Sequence, residues 1–248
     1  YQNKKELNPS NDYYTAKLYM SPSNWKAIGV LFKYARIVIG QIIDVTLYKD
    51  QWFLLYKKGK NTPETSFRRM KKIASKNSLF WADPFMVHKN NQDYIFIEEF
   101  DWTIKKGHIS VIEFAEDNKI KITKIIDNSY HFSYPFIFEY EDDYYMIPET
   151  ASNQTIELYK CNRFPYDWSF QNNIFTDIVA VDTTLFFHNN LWWMFTSVDE
   201  TKKSTKHDEL FLFYAENPIS AEWRPHKMNP VISDAKVARP AGNIYVSE

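Results

Sequence analysis

DPFMVHKNNQDYIFIEEF (83–100) consists of an apolar strand, a short polar turn and a second aromatic strand, and this pattern occurs three times in the chain. It recurs as YPFIFEYEDDYYMIPET (134–150) and TTLFFHNNLWWMFTS (183–197). Repeats of about fifty residues that are built from short strands indicate a radial or stacked β architecture, chiefly the β-propeller. In a propeller the innermost strands begin around one central funnel. The residues that open the three units are therefore the first candidates for function.

The units open at Asp83, Tyr134 and Thr183, and each is followed by two further strand-like segments. Four strands per unit are typical of a propeller blade. The sequence therefore predicts an all-β fold, a five-bladed β-propeller with four-stranded antiparallel blades, the last blade being incomplete in this chain. The predicted domains are an irregular N-terminal lead-in over residues 1–41 and a propeller domain over residues 42–248. Blades are expected to start near residues 42, 81, 133, 181 and 237.

The first and last blades are the least regular. IIDVTLYK and QWFLLYKK, which lie within residues 42–58 and turn at Asp50, are expected to form the first blade. A new unit begins at Arg239 and matches the start of the unit at Asp83. Either the N-terminal strands complete this fifth blade, or the chain is a fragment of a longer protein. The fragment is the favoured interpretation.

Composition excludes some classes of partner. The 248 residues include 30 basic and 31 acidic side chains, for a net charge of −1, so no general attraction to nucleic acid is expected. The basic run FRRMKKIASKN (67–77) is interpreted as a solvated edge or loop. The longest apolar stretch is interrupted by Lys26, Lys33 and Arg36, so no membrane span is expected. The expected localisation is cytoplasmic, and a removed N-terminal signal is the alternative.

The sequence contains none of the usual nucleotide or metal signatures. It has no G-x-G-x-x-G, no P-loop, no H-E-x-x-H and no paired C-x-x-C. It also lacks the G-x-S-x-G elbow of many serine hydrolases. No cofactor and no metal ion are expected, and acidic residues at the repeat positions become the main candidates.

Two aspartates stand at the starts of inner strands. Asp83 opens its unit, and Asp182 sits one residue before the equivalent position two units later. Two carboxylates that face each other across a funnel are the arrangement used in glycoside chemistry, one as acid and one as base or nucleophile. The alternative role is to cap a strand or turn by accepting backbone N–H bonds. His131 and Tyr134, just before the inner strand of the second unit, are also expected to reach the funnel.

Two glutamates occupy matching places near the end of the second strand of their units. These are Glu98 and Glu149, and Glu99 replaces Glu98 if the alternation is offset by one residue. A buried glutamate needs a partner. Each could bind a sugar hydroxyl, act as a general acid, or pair with an arginine such as Arg239.

Motifs between residues 80 and 245 resemble those of a known family. They include WADPF, HFSYPFIFE, YYMIPET, FPYDW, VDTTLFFH and HKMNPVISDAKVARPAG, in consistent order. The chain resembles the five-bladed propeller domain of the glucosamine inositolphosphorylceramide transferase type, which is similar in fold to the family 43 glycoside hydrolases. Before residue 80 the resemblance is weak.

The resemblance implies a role in glycan transfer or glycan processing. Asp83 would match the base of the hydrolase pattern, and Asp182 would match the acid that tunes pKa and orients the substrate. The general acid of that pattern is a glutamate at an inner-strand start in the following blade. This sequence has Asp234 and Arg239 there instead, so Glu149 or Glu98 would have to substitute.

The expected function is therefore to bind a glycan or a sugar nucleotide in the central funnel. In a catalytic version Asp83 is the base, Asp182 the modulator and Glu149 the acid. The substrate-binding residues would be Glu98, His131, Tyr134, Asp234 and Arg239. The alternative is a non-catalytic carbohydrate-binding or scaffold module that serves a fused or partner glycosyltransferase or formyltransferase-like domain.

Overall fold

The computed structural model describes residues 21–47, 52–57, 67–76, 78–114, 119–202 and 208–246. They belong to two compact units, residues 1–50 and residues 51–248. The described part of the first unit contains one helix, and that of the second contains the strands.

The helix of the first unit is α1 (Asn24–Leu47), and the N–H of Ala27 donates to the Ser23 carbonyl at its start. Apolar residues recur three and four positions apart, which is helical spacing, at residues 28, 31, 32, 35, 39 and 42. The predicted irregular lead-in is therefore wrong over 24–41, and the strand predicted from residue 42 is wrong over 42–47. The rest of that predicted strand lies outside the described residues. No helix in the described part of the chain is long and apolar enough to cross a membrane.

The second unit is built from antiparallel strands. In chain order these are β1 (Phe53–Tyr56), β2 (Lys71–Ala74), β3 (Leu79–Lys89), β4 (Gln92–Asp101), β5 (Lys106–Phe114), β6 (Ile120–Ile126), β7 (Ser133–Tyr140), β8 (Asp143–Thr150), β9 (Thr155–Arg163), β10 (Asp167–Thr176), β11 (Ala180–His188), β12 (Leu191–Val198), β13 (Glu209–Ala215), β14 (Arg224–Pro225) and β15 (Ile232–Ser233).

Three large sheets follow one another along the chain. Strands β3 to β6 form the first and β7 to β10 the second, each in chain order. The third contains β11 to β14 in order, and β15 also pairs with β13. The predicted four-stranded antiparallel architecture is thereby confirmed for the first two of these sheets, whereas the third contains five strands. The described residues after Ser233 contain no strand, so the count of five blades stays a prediction.

The strand expected at residues 51–58 does not pair with the segment before it, as the first blade was predicted to do. Strand β1 pairs with β2, with Phe53 opposite Ala74 and Tyr56 opposite Lys71. Strand β2 lies inside the basic run 67–77, which was interpreted as a solvated edge or loop. Lysines are common on short exposed edge strands, where they discourage further pairing. Because lysine is uncommon in strands, these lysines also explain why the strand was not predicted from the sequence.

The core of the second unit lies between the large sheets. Phe96, Met146 and Met194, on the second strand of each sheet, are fully buried. The ring of Phe85 packs edge-on against the ring of Tyr134, with centroids 4.9 Å apart, and so joins β3 to β7. Strand β7 also contacts β11, where the Tyr134 hydroxyl lies 2.8 Å from Thr184 Oγ1, so the starts of β3, β7 and β11 lie close together.

The first strand of each large sheet contains a β-bulge at the same point. In the first sheet Ala82 faces Glu98 while Phe85 faces Phe96, so β3 has one extra residue across this step. Strands β7 and β11 have the same irregularity, between Ser133 and Phe136 and between Val181 and Thr184. A bulge re-aims the side chain beside it and is frequent next to functional sites.

Candidate functional site

The three bulges present equivalent residues in left-handed backbone conformations. The φ angles are 47° at Asp83, 44° at Tyr134 and 56° at Asp182. This conformation costs roughly 1–2 kcal/mol for a residue other than glycine. The expectation that Thr183 is the equivalent of Asp83 is therefore wrong by one residue. Asp182 itself is the equivalent position.

The residue that faces the start of each bulge comes from the neighbouring strand. Glu98 fills this position in the first sheet and Glu149 in the second, as expected from the repeat. Ser197 fills it in the third sheet, where it is fully buried and its Oγ has no hydrogen-bond partner among the described residues. We call Asp83, Glu98, Glu149 and Asp182 the carboxylate cluster.

Asp83 and Glu98 form a hydrogen-bonded pair within this cluster. Burial, followed by the charges of Asp83 and Glu149, raises the pKa of Glu98 to about 9. Burial also raises the pKa of Asp83, helped by the charge of Asp182 and opposed by a hydrogen bond from the Tyr134 backbone N–H. Two carboxyl groups in contact cannot both ionise readily. With a pKa of about 9, Glu98 is therefore protonated at neutral pH.

Glu149, Asp182 and Arg239 form the other half of the site. Arg239 Nε donates to Asp182 Oδ2 at 2.5 Å, and the backbone N–H of Asp182 lies 3.4 Å from Glu149 Oε2. The Asp182 side chain is buried, whereas that of Arg239 is 54% exposed. Burial, followed by the charge of Asp182, raises the pKa of Glu149 to about 7. A carboxyl group with such a pKa can exchange protons near neutral pH.

His131 reaches the cluster from the loop before β7. Its Nδ1 accepts the Gly107 backbone N–H at 2.8 Å, and its Nε2 lies 3.5 Å from Glu98 Oε1. Burial lowers the pKa of His131, which keeps its ring neutral at pH 7. The structure thus places His131 beside Glu98, with Gly107 behind it.

Tyr134 connects the site to the C-terminal segment. Its hydroxyl contacts Thr184 Oγ1 at 2.8 Å and accepts the Gly242 backbone N–H at 2.7 Å. Burial raises the pKa of Tyr134 to about 12. A cavity of about 260 Å³ lies next to these contacts, between Thr184 and the segment that carries Arg239 and Gly242.

Two of the sequence candidates lie apart from these contacts. Asp234 is exposed, and its Oδ1 accepts the Lys236 backbone N–H within the turn that precedes Arg239. Glu99 accepts hydrogen bonds from Trp81 and faces His108, so the offset alternative to Glu98 is wrong.

Sequence reasoning missed Gly107 and Ser197. A glycine inside a strand often marks the close approach of another part of the chain, and this is the signal that could have revealed Gly107. No residue-type signal marks Ser197, which is recognisable only from its register with Val181.

The comparisons with known proteins identify the family. Residues 63–248 match the family described as "Glucosamine inositolphosphorylceramide transferase 1, N-terminal". The chain belongs to this family. A relative from Oryza sativa subsp. japonica, "Glucosamine inositolphosphorylceramide transferase 1", is 30% identical over 175 residues. That match covers 69% of this chain and 23% of the relative, so the chain spans about a quarter of the relative's length.

Solved structures of glycoside hydrolases are similar in fold. Zg3597, a family 117 glycoside hydrolase from Zobellia galactanivorans, matches with a TM-score of 0.50 and 12% identity, over 74% of this chain and 63% of that one. A thermostable family-43 glycoside hydrolase matches with a TM-score of 0.46 and 16% identity, over 62% of this chain and 56% of that one. The family resemblance expected from the motifs is confirmed by the match over residues 63–248, and the match to Zg3597 shows a fold similar to that of a glycoside hydrolase.

Proposed function

We propose that the second unit binds a carbohydrate at the carboxylate cluster, as part of glycan transfer or glycan processing. The observation that carries this proposal is the convergence of the three bulges. Their aspartates and the facing glutamates lie close enough for the charge of one to shift the pKa of another. Ionised carboxylates accept hydrogen bonds from sugar hydroxyls. Such a site can bind a molecule that carries many hydroxyl groups.

The names of similar proteins support a sugar-related role. The relatives are named for a glucosamine inositolphosphorylceramide transferase, and Zg3597 is described as a glycoside hydrolase. The transferase is about four times as long as the matched region. A transfer activity of this chain would therefore be a further proposal, separate from carbohydrate binding.

The charges of the cluster favour a neutral glycan over a sugar nucleotide. Four carboxyl groups surround the site, and Arg239 is already paired with Asp182. The diphosphate of a sugar nucleotide would bring negative charges toward Asp83 and Asp182, and like charges repel most strongly in a partly buried site. We therefore infer that neutral glycans bind more tightly than nucleotide sugars.

A catalytic version of the site would use two of these carboxyl groups. Glu149, with a pKa near 7, would supply a proton to the leaving oxygen, and Asp83 would act as the base toward water or an acceptor hydroxyl. Asp182 would add to the effect of burial by raising the Glu149 pKa through its charge.

A non-catalytic module is the second candidate function. The observation in its favour is Arg239, which stands near the position where the hydrolase pattern has its acidic residue and neutralises Asp182. Such a module would present a glycan to a fused or partner transferase domain.

Two measurements test the proposal. Thermal unfolding is followed with a panel of methyl glycosides, neutral oligosaccharides and uridine diphosphate sugars, since a ligand that binds only the folded protein raises Tm. Products are sought by mass spectrometry with the wild type, Asp83→Asn and the exposed-site control Asp177→Asn. Turnover that disappears only in Asp83→Asn supports catalysis, and stabilisation without turnover supports the binding module. The absence of stabilisation and turnover across the panel would contradict carbohydrate binding.

A further inference from the structure

Helix α1 carries large apolar side chains that are exposed. Trp25 is 83% exposed, Leu31 66% and Phe32 77%. The other large apolar side chains exposed along this helix are Ile28, Val30, Tyr34, Ile37, Ile39, Ile42 and Ile43. An exposed apolar surface of this extent marks a site of interaction with a membrane or another molecule.

The charged side chains of α1 lie along one side of the helix. Successive residues are about 100° apart around a helix axis, so residues of one sector can be identified from their spacing. The charged residues fall within roughly a quarter of the circumference, and they are Lys26, Lys33, Arg36 and Asp44. The large apolar residues occupy roughly two thirds of it, with Leu31 near the middle. Helix α1 is therefore amphipathic, with a wide apolar side and a narrow, mainly basic polar side.

The width of the apolar side favours a lipid surface over a second helix. The seam between two helices uses a narrow apolar stripe, which is flanked by charged residues of both signs. The apolar side of α1 is much wider, and the helix contains three cations but one acid. A single partner helix would leave most of this apolar side in water, whereas the headgroup–acyl boundary of a bilayer can take up all of it.

The charges determine how the helix would lie and which lipids it would prefer. Lys33 and Arg36 are near the middle of α1, so an orientation across the bilayer would place two cations in the hydrocarbon core, where charges are costly. In the plane of the interface, the same cations lie at headgroup level while the apolar side enters the acyl region. Anionic headgroups attract lysine and arginine. Trp25, in the first turn, is of a residue type that is enriched at this interface.

We propose that α1 binds the surface of membranes that contain anionic lipids and lies in the plane of the bilayer. The net charge of the whole chain, −1, does not oppose this, because a lipid surface acts on charges within about a Debye length of it. The proposal goes beyond carbohydrate binding, since α1 belongs to the first unit and the carboxylate cluster to the second.

The electrostatic part is tested by co-sedimentation of the full chain with vesicles. One set contains phosphatidylcholine alone, and the other equimolar phosphatidylcholine and phosphatidylglycerol. We expect the wild type to bind the mixed vesicles more tightly. Lys33→Gln/Arg36→Gln should weaken this binding about thirtyfold, since each cation near an anionic surface contributes about fivefold. Asp44→Asn, which removes the acid, should strengthen it. A wild type that binds neither vesicle, or binds both equally, overturns the proposal.

The apolar part is tested with Leu31→Gln/Ile42→Gln. Glutamine is a good helix former, so the variant keeps the helix and changes the middle of its apolar side. We expect its affinity for the mixed vesicles to fall by more than about tenfold, because two large apolar side chains are lost from the lipid contact. The control is Met86→Gln/Met228→Gln, which changes two exposed apolar residues of the second unit and should bind as the wild type does. Unchanged binding of Leu31→Gln/Ile42→Gln overturns the proposal.

The orientation of the helix is tested with an environment-sensitive fluorophore on introduced cysteines. Leu31→Cys carries it on the apolar side and Lys33→Cys on the polar side. The labelled wild type gives the background, since its one cysteine, Cys161, is buried. On adding mixed vesicles we expect a blue shift of the emission for Leu31→Cys and little change for Lys33→Cys. Equal shifts at both positions overturn the orientation in the plane.

Two further results separate this proposal from its alternatives. A dimer in sedimentation velocity that is lost in Leu31→Gln/Ile42→Gln, without vesicle binding by the wild type, assigns the apolar side to a second copy and overturns the proposal. Vesicle binding as expected, without stabilisation by any sugar, leaves the membrane contact standing while the proposed function fails. Stabilisation by sugars without vesicle binding has the opposite meaning.

Discussion

Asp182 influences Glu149 through both its charge and its backbone. The charge raises the Glu149 pKa, whereas the N–H donates toward Glu149 Oε2. Asp182→Asn removes the charge and keeps the N–H, so we expect the Glu149 pKa to fall below its value of about 7. The measurement is a carboxyl ¹³C titration, with Asp177→Asn as the control for loss of an exposed carboxylate. An unchanged Glu149 midpoint in Asp182→Asn would show that burial alone sets this pKa.

Glu98 makes stability depend on pH. Its folded-state pKa of about 9 lies above the ordinary value of 4.5, so the folded protein binds the extra proton between these two values. Stability from this group is therefore complete below about pH 4.5 and is lost as the pH rises toward 9, by at most about 1.4 kcal/mol per pH unit. Urea unfolding of the wild type and Glu98→Gln from pH 5 to pH 9 measures this slope.

We expect Glu98→Gln to flatten the fall in stability over this range, since an amide does not titrate. The exposed-site variant Glu222→Gln should keep the wild-type slope. A wild-type slope that persists in Glu98→Gln would assign the pH dependence to another group.

At the residue scale, the repeat predicted Asp83, Glu98 and Glu149 at the site, because a fixed place in a repeated strand pair implies a fixed place in space. It assigned Asp182 to a position one residue off. No residue type marks a bulge in the sequence, although a bulge changes the alternation of side chains along its strand. The observed strand register is therefore needed to show that Asp182, and not Thr183, is equivalent to Asp83. Gly107 was missed because its role depends on a loop that is distant in sequence.

At the scale of elements, a further buried carboxylate links the loop before β7 to strand β9 and the turn before it. Glu157 on β9 is 2% exposed and accepts hydrogen bonds from Tyr130, Asn153, Thr155 and Tyr159, at 2.8 to 3.0 Å. Burial, followed by the hydrogen bond to Glu157, raises the pKa of Tyr130 to about 12. Tyr130 immediately precedes His131, so this network anchors the loop that carries His131.

Glu157→Gln should destabilise the second unit. The amide cannot accept all of these bonds at once, and a buried donor without an acceptor costs about 1–3 kcal/mol. We expect a loss of about 2 kcal/mol in urea unfolding, with Glu200→Gln on the surface as the control. If Glu157→Gln lowers the free energy of unfolding no more than the control does, water molecules must replace the lost hydrogen bonds.

Helix α1 shows how an element can be misassigned. Residues 42–47 are rich in β-branched side chains, which favour strands in isolation. In the chain they continue an apolar series spaced by three and four residues, and the helix started at Asn24 extends through them. The spacing of apolar residues over the whole helix indicates its structure correctly, whereas the β-branched composition of residues 42–47 alone does not.

At the scale of the whole molecule, the described site lies within residues 51–248. Every side chain of the carboxylate cluster, with His131, Tyr134 and Arg239, belongs to this unit. We therefore expect a chain that begins at Gln51 to keep the same sugar-dependent rise in Tm as the full chain. Thermal unfolding of both proteins with the glycoside panel measures this. A rise seen only with the full chain would mean that the first unit contributes to binding.

The three bulges determine which kind of sequence change this site tolerates least. Each extra residue reverses the side-chain alternation of its strand, so the two halves of β3, β7 and β11 depend on that one inserted position. A substitution at a bulge changes one side chain. A single-residue deletion there would turn half of the strand toward the opposite face, removing the site residue and exposing core residues together. Within this fold, length at the bulges is therefore constrained more tightly than residue identity, and in-frame deletions there should be among the rarest viable variants.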